Sequence, residues 1–417
     1  MKESAEEGAE RSPAPRGALA ALRHRNFRVF YAGQILSLCG TWMQSTAQGW
    51  LVLELTNSAL LLGVVTAAGS LPSLVLTLWA GVVADRGDKR RIILLADIVM
   101  GLQSLALAVL THLGLITYPV LLLLVLVLGT ANAFEVPTRQ SFFVDLVGRE
   151  DLPNAIALNS TAFNGTRIVG PALAGWLIAV AGTTAACFYA NAVSFLFVVM
   201  GLMMMRLPPF RPPERTTSTL EDLREGIDFI RGDRLARTLV GLIAAMSITA
   251  FPYTMLLPVF ARDVLHVGAT GLGWLLAATG MGALLGGVTL AAGGARVPRG
   301  PLMVWTTLAF CVSLIAFTFA RSMVPALVLL GLAGFTMILN NATLNALLQS
   351  LVPNRLRGRV MSVYVFMFLG MTPIGALQAG ALSRVVGAPY AVAIGAAVLF
   401  AIMVTVAVRV PELRRVR

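Results

Sequence analysis

The chain has 417 residues, 57% of them hydrophobic and 12% charged, with a mean hydropathy of +0.80. A soluble domain carries about 25% charged residues, so this composition excludes an ordinary water-soluble protein and leaves room for about twelve membrane spans of some 20–25 residues. The formal net charge of +12 does not point to nucleic acid, because the basic residues fall in links between apolar runs, where they read as orientation signals and contacts to anionic lipid.

Residues 1–26 mix Glu, Pro and Arg without the apolar run of a signal peptide. They read as a disordered cytoplasmic tail, with the first span as an uncleaved targeting signal. Apolar runs then predict spans at 27–54, 58–84, 89–112, 117–147, 153–181, 184–206, 236–262, 268–293, 299–320, 323–352, 357–384 and 387–409. A short tail, 410–417, follows. The odd-to-even links carry Arg262, Arg321 and Arg384 as their only cations. The even-to-odd links and both tails hold the rest, apart from Arg139 and Arg167 within spans. By the positive-inside rule both termini are predicted to be cytoplasmic. Cys39, Cys187 and Cys311 lie in apolar runs without paired spacing, so neither a disulfide nor a metal site is expected. A phosphate loop, a His cluster and a nucleophile elbow are all missing. The sequence therefore indicates neither an enzyme nor an ATP-driven pump, and no cofactor.

Along the spans, polar residues fall in patterns. Span 1 carries Gln34, Ser37, Thr41, Gln44 and Gln48 at spacings of 3 and 4, which is one helical stripe. Span 2 runs into Gly81-Val82-Val83-Ala84-Asp85-Arg86-Gly87-Asp88-Lys89-Arg90-Arg91, a loop of four cations and two carboxylates at the membrane edge. Asp97 lies about two turns into span 3. Glu135 and Arg139, one turn apart in span 4, are spaced to pair, and Glu135 is about 27 Å along that span from the link near 117 at 1.5 Å per residue. Arg167 falls near the middle of span 5, before Gly170, Pro171 and Gly175. A proline there removes one helix hydrogen bond and bends the helix, and small residues let a neighbouring helix approach.

Charges inside spans mark pathways or pair with one another. Asp97 and Glu135 are the candidate proton carriers, with structural pairing to Arg139 or Arg167 as the alternative. The link 207–235 opens with Pro208-Pro209 and Pro212-Pro213, then sets Leu220, Leu223, Ile227 and Ile230 on one helical stripe. That suits a helix lying on the membrane surface, or a docking site. Span 10 carries Asn341, Asn345 and Gln349 at i+4 steps. The stripes of spans 1 and 10 either bond helix to helix or form the wall of a mildly polar cavity suited to amphiphiles.

The chain also repeats itself. Leu62-Gly63 recurs as Leu272-Gly273 and Ala67-Ala68 as Ala277-Ala278, both at a shift of 210. Leu146-Val147 recurs as Leu351-Val352, Gly165 as Gly370 and Gly175 as Gly380, at a shift of 205. Two six-helix halves, 27–206 and 236–409, are predicted, joined by the long link. The halves differ, since Asp85 becomes Ala295 at the shift of 210 and only Arg296 and Arg299 remain of the charged loop.

The loop at Gly81, Asp85, Arg86, Lys89 and Arg90 resembles the G-x-L-A-D-R-x-G-R-K loop of the major facilitator superfamily, with Asp88 where its second glycine is expected. Gly170, Pro171 and Gly175 resemble the superfamily's antiporter motif, with Thr166 and Ala174 replacing two glycines. Trp42-Met43-Gln44, Trp50-Leu51-Val52-Leu53-Glu54-Leu55, Phe134-Glu135-Val136-Pro137-Thr138-Arg139-Gln140 and Asn154-Ala155-Ile156-Ala157-Leu158-Asn159-Ser160 resemble the enterobactin-exporter and macrolide-efflux branch. The resemblance implies an all-α membrane protein of twelve transmembrane helices in two pseudo-symmetric halves, with spans 1, 4, 7 and 10 around a cavity.

It further implies proton-coupled export of amphiphilic drug- or siderophore-like molecules from a bacterial inner membrane, by a carrier acting as a monomer among lipids. A lysophospholipid flippase or uptake carrier on the same fold is the alternative, and a non-transporting sensor or assembly protein the alternative of another class. By the same resemblance Asp85 should approach Gly358-Arg359 at the start of span 11, and Lys89 should meet Asp145, closing the cytoplasmic side in the outward-open state.

Overall fold

A computed structural model describes residues 19–205, 219–293 and 298–415, without the side chains at 77, 78, 85, 219–223, 414 and 415. Residues 1–18 of the N-terminal tail, the linker prolines, Ala295 and Arg296 lie outside the described residues, as do the side chains of Asp85, Leu220 and Leu223, whereas residues 19–26 of the expected disordered tail are ordered, with Ala20 and Ala21 buried. Among the described residues the structure is helical throughout. After a 3-10 turn at Ala20–Arg23 come α1 (Arg25–Thr56), α2 (Ala59–Arg86), α3 (Lys89–His112), α4 (Tyr118–Ala181) and α5 (Ala185–Met204). The linker contributes α6 (Thr219–Gly232). Then follow α7 (Arg234–Thr249), α8 (Tyr253–Val259), a π turn at Phe260–Val264, α9 (Gly268–Gly293), α10 (Arg299–Thr318), α11 (Met323–Leu351), α12 (Arg357–Gly370), α13 (Thr372–Val386), α14 (Ala388–Arg409) and α15 (Glu412–Arg415).

Ten stretches are long and apolar enough to cross a membrane. One of them is the 64-residue α4. At Gly148, φ 73° and ψ 174° break its helical path, a conformation open essentially to glycine alone. α4 is therefore spans 4 and 5. α1 is not among the ten, because its five-residue polar stripe dilutes its hydropathy, yet its 32 residues would span a membrane with length to spare. Counted this way the spans number twelve.

Local chemistry fixes the ends. Asn57 closes α1 in the left-handed conformation, with φ 49°, which Asn tolerates. Ser58, Asp88 and Asp233 cap α2, α3 and α7 by accepting backbone N–H bonds from Leu61, Arg91 and Ala236 at 3.3, 3.2 and 2.7 Å. Spans 7 and 11 depart from the continuous helices expected of them. Span 7 turns at residues 250–252, ahead of α8, and passes through the π turn that follows Pro258. Span 11 breaks at Met371, two residues before Pro373. In both places a proline lacks the N–H that a continuing helix needs.

Glycine contacts disclose the symmetry. A Cβ built on Gly63 in α2 would lie 3.3 Å from Gly380 Cα in α13, and one on Gly273 in α9 would lie 3.3 Å from Gly175 Cα in α4. Gly63 and Gly273 are the 210-shift pair, and Gly175 and Gly380 the 205-shift pair. The two contacts are therefore one contact seen twice, as a two-fold axis between parallel halves requires. The same holds within each half, where Gly129 abuts the Gly69 carbonyl and Gly334 abuts that of Thr279. Spans 2 with 11 and 5 with 8 thus form the seam between halves, close-packed through small residues.

Candidate transport site

The seam closes at one end of the bundle. Span 2 begins there and span 5 ends there, so Gly63 and Gly175 lie close to that end. Arg262, in the π turn of the second half, reaches across to α1 of the first. Its Nη1 donates to the Leu53 carbonyl at 2.9 Å and its Nη2 to Asn57 Oδ1. Asp263 Oδ1 accepts from its Nε at 2.6 Å and holds the guanidinium in place. Trp50 Nε1 donates to Glu54 Oε1 at 2.7 Å beside this contact. At the opposite end, which carries the charged loop, a Cβ at Gly81 or Gly358 would meet nothing within 4 Å.

Between these ends, from the Arg262 end inward to Arg167, lies a cavity of about 260 Å³. Its walls are Trp42, Ser45, Thr46 and Gly49 from α1, Leu62 and Thr66 from α2, and Arg167 and Pro171 from α4. The other half adds Thr254, Met255 and Pro258 from α8, and Leu276 and Thr279 from α9. Hydroxyls, one guanidinium and apolar surface face the same space, so it can hold a molecule with a polar head and an apolar body.

The stripe of span 1 has another role at its centre. Gln44 Nε2 donates to Gln103 Oε1 at 3.1 Å, and Gln44 Oε1 accepts from Asn191 Nδ2 at 2.8 Å, with Ser104 Oγ at 2.6 Å. This knot ties spans 1, 3 and 6 inside one half. Ser37 is buried two turns away on that same side, between Gly33 and Gly40, which abut α5. Gln44 is therefore a packing residue rather than a cavity wall. The wall is formed by the other side of α1, at Trp42, Ser45, Thr46 and Gly49. Gln34 is buried, and Thr41 and Gln48 are half-buried. None of the three lines the cavity. In span 10, Gln349 Nε2 donates to Asn345 Oδ1 at 2.6 Å, Asn341 is half-buried, and none of them reaches the cavity either. Asn340, which periodicity does not single out, is the buried amide there. It donates to Thr307 Oγ1 and to the Met303 carbonyl.

Asp97, Glu135 and Arg139 come together between spans 3 and 4. Arg139 Nε and Glu135 Oε1 are 2.7 Å apart, both side chains nearly buried, though the N–H does not align on the oxygen. Asp97, 3% exposed, lies within electrostatic reach of both, and its Oδ2 has no hydrogen-bond partner. Arg167 stands apart from this group, in the cavity.

In the charged loop, Lys89 Nζ sits 2.8 Å from Asp145 Oδ2 and donates to the Ser141 carbonyl at 3.1 Å. Both Lys89 and Asp145 belong to the first half, so this pair cannot clamp one half to the other. Arg90 closes α5 by donating to the carbonyls of Leu202 and Met203 at 2.8 and 3.1 Å. Arg86 is exposed. Arg359 pairs with Glu225 of α6, which also faces Arg355 at 3.4 Å. A Cβ on Gly170 would press on Trp42 Cβ at 2.5 Å, and one on Gly175 on the Ala269 carbonyl at 2.6 Å. The Gly-Pro segment therefore packs span 5 against spans 1 and 8. The dihedrals at Pro171 stay helical.

Two pseudo-symmetric six-span halves around a cavity between them define a secondary transporter of the major facilitator fold. Residues 16–416 match the transmembrane secretion effector family, and the chain belongs to it. It is 28% identical over 384 residues to the multidrug efflux pump Tap of Mycolicibacterium fortuitum, covering 90% of this chain and 93% of that one. It is 26% identical over 353 residues to the staphyloferrin A transporter of Staphylococcus aureus, covering 84% and 87%. It is 27% identical over 367 residues to the enterobactin exporter EntS of Escherichia coli, covering 86% and 85%. Among solved structures, a point mutant of the nucleoside transporter NupG superposes with a TM-score of 0.76 at 14% identity, over 92% of this chain and 99% of that one. A bacterial homolog of the human lysosomal transporter Spinster superposes with a TM-score of 0.72 at 15% identity, over 96% and 97%. At such identities the likeness shows the fold alone.

Proposed function

We propose that the protein exports amphiphilic, drug- or siderophore-like molecules across a bacterial inner membrane in exchange for protons, as a monomer surrounded by lipid. The observation that carries this reading is the cavity between the halves, whose mixed hydroxyl and apolar lining suits an amphiphile. The Tap pump and the EntS exporter, each matched over most of its length, support the outward direction. The positive-inside rule places the charged loop and both termini in the cytoplasm, and the Arg262 end then faces the periplasm. In that orientation a form latched at the Arg262 end reads as inward-open, ready to load substrate from the cytoplasm.

Asp97 and Glu135 carry the proton in this scheme. An oxygen of Asp97 without a partner, beside a carboxylate already paired with Arg139, is a place where a proton is held at one stage of the cycle and released at another. Asp85 with Gly81 and the start of span 11 closes the cytoplasmic side once substrate is loaded, a role taken from the family resemblance. The test is a substrate screen in inverted membrane vesicles with an imposed pH gradient. Uptake that requires the gradient and collapses with a protonophore supports the reading. Uptake indifferent to the gradient removes the proton from it.

A further inference from the structure

The cavity between the halves contains one charge that the chain does not balance. Arg167 lies fourteen residues before Ala181, where α4 ends, which puts it about 21 Å from that end at 1.5 Å per residue. A guanidinium stays protonated in any protein environment, and an uncompensated charge near the bilayer centre is costly. Among the described residues Arg167 makes no ion pair and no hydrogen bond, and no Asp or Glu lines the cavity.

Glu135, Asp97 and Glu54 are otherwise engaged. Glu135 pairs with Arg139, Asp97 lies beside that pair, and Glu54 accepts from Trp50 next to Arg262. Tyr253, buried in the second half, feels the Arg167 charge, and its own hydroxyl has no aligned hydrogen bond. Besides Arg167 the cavity is lined by Thr46, Thr66 and Thr254, which carry hydroxyls, and by Trp42 and Met255, which add apolar surface.

We propose that Arg167 is the anion subsite of the substrate cavity, and that the molecule carried is an amphiphile bearing a single carboxylate-type oxyanion. A guanidinium offers a planar fork of donors that matches a carboxylate in two parallel hydrogen bonds. One cation without a second beside it suits a monoanion and leaves a doubly charged phosphate half-compensated. Each threonine hydroxyl donates here to a backbone carbonyl three or four residues earlier and can rotate that hydrogen to a head-group oxygen, while the indole and thioether cover the apolar body. This assignment rests on the reading of the cavity as the transport site. It requires neither proton coupling nor a direction of transport, so a binding measurement tests it separately.

The experiment uses the full-length protein in lipid nanodiscs, with empty nanodiscs as control. Equilibrium dialysis compares 2-naphthoate with 2-naphthamide, which share shape and apolar area and differ in charge. The wild type is expected to bind the carboxylate roughly tenfold or more tightly than the amide, the size of a charge-assisted hydrogen bond. Arg167→Gln should abolish that preference, and Arg167→Lys should keep part of it. Thr254→Val, which leaves the charge in place, should retain the preference with weaker binding of both probes. Equal binding of the two probes by the wild type overturns the proposal, as does an undiminished preference in Arg167→Gln or no binding of either probe. If Arg167→Gln does not fold, the wild-type comparison and Arg167→Lys decide. Failure of pH-driven transport with carboxylate preference intact would refute proton-coupled export and leave the subsite standing.

Discussion

Gln44 shows what a mid-membrane amide does when its neighbours are amides too. It bonds to Gln103 and Asn191 and touches Ser104, so removing it leaves three buried polar side chains short of a partner. Interhelical hydrogen bonds in membranes average about 0.6 kcal/mol, with an upper value of about 1.7. Gln44→Leu is thus expected to lower thermal stability in detergent by an amount in that range while substrate affinity stays unchanged. Lost affinity at unchanged stability would return Gln44 to the cavity wall. Asp97 and Glu135 call for a different measurement. Asp97→Asn and Glu135→Gln each remove a site that can hold and release a proton, at little change in volume. Both variants should insert and fold, yet lose substrate accumulation driven by a pH gradient, down to the level of vesicles without the protein. If both still accumulate substrate at the wild-type rate, the coupling site lies elsewhere.

At the level of elements, the seam and the latch divide the work of closure. Spans 2 and 11, and 5 and 8, approach backbone to backbone at Gly63, Gly380, Gly175 and Gly273, so their contact is apolar, short-ranged and tolerant of sliding. Arg262 is different in kind. It donates from the π turn to the C-terminal end of α1, to a Leu53 carbonyl that also accepts from Asn57 N–H and to the Asn57 side chain, where the helix end is electrically negative. Charge at a helix end is worth about 0.3–2 kcal/mol, enough to bias a two-state carrier and weak enough to break in each cycle. Arg262→Ala should therefore shift the protein toward the state open at that end. Ser58 and Ser383 line one surface pocket across the same gap. In a background without Cys39, Cys187 and Cys311, disulfide yield between Ser58→Cys and Ser383→Cys should fall several-fold when Arg262 is replaced. An unchanged yield would show that the glycine seam holds this end closed without the latch.

For the whole molecule, alternating access requires that the contacts absent at one end form when those at the other break. In this structure the halves meet from mid-membrane to the Arg262 end. Toward the opposite end Arg359 pairs with Glu225 of the linker helix. The amides at the start of α12 form a partly positive helix end, strengthened by Arg355 and Arg357, and a carboxylate from span 2 is the natural partner for it in the other state. By the family resemblance, Asp85→Asn should favour the inward-open state and slow turnover without unfolding the protein. Cross-linking between the ends of spans 2 and 11 is the readout, and a yield equal to that of the wild type would remove Asp85 from the gate.

The sequence by itself determined the membrane, the helices and the two halves. Each follows from local information: apolar runs of span length, prolines, glycines and capping residues at the breaks, and a repeat that survives as Gly63 with Gly273 and Gly175 with Gly380. It also marked Arg167, Glu135 and Asp97 as costly, because a charge in a span is conspicuous wherever it points. The direction in which each polar residue points was settled only by tertiary structure. A stripe at helical spacing faces away from lipid whether its neighbour is a cavity or another helix, so Gln44 and Ser45 could not be ranked until spans 3 and 6 were in place. The same limit hid Asn340, one residue from the stripe in span 10. It also hid the bond from Arg262 to Leu53 and Asn57, whose partners lie 209 and 205 residues away along the chain. Periodicity records one helix at a time, whereas a cavity and a latch are properties of two helices brought together.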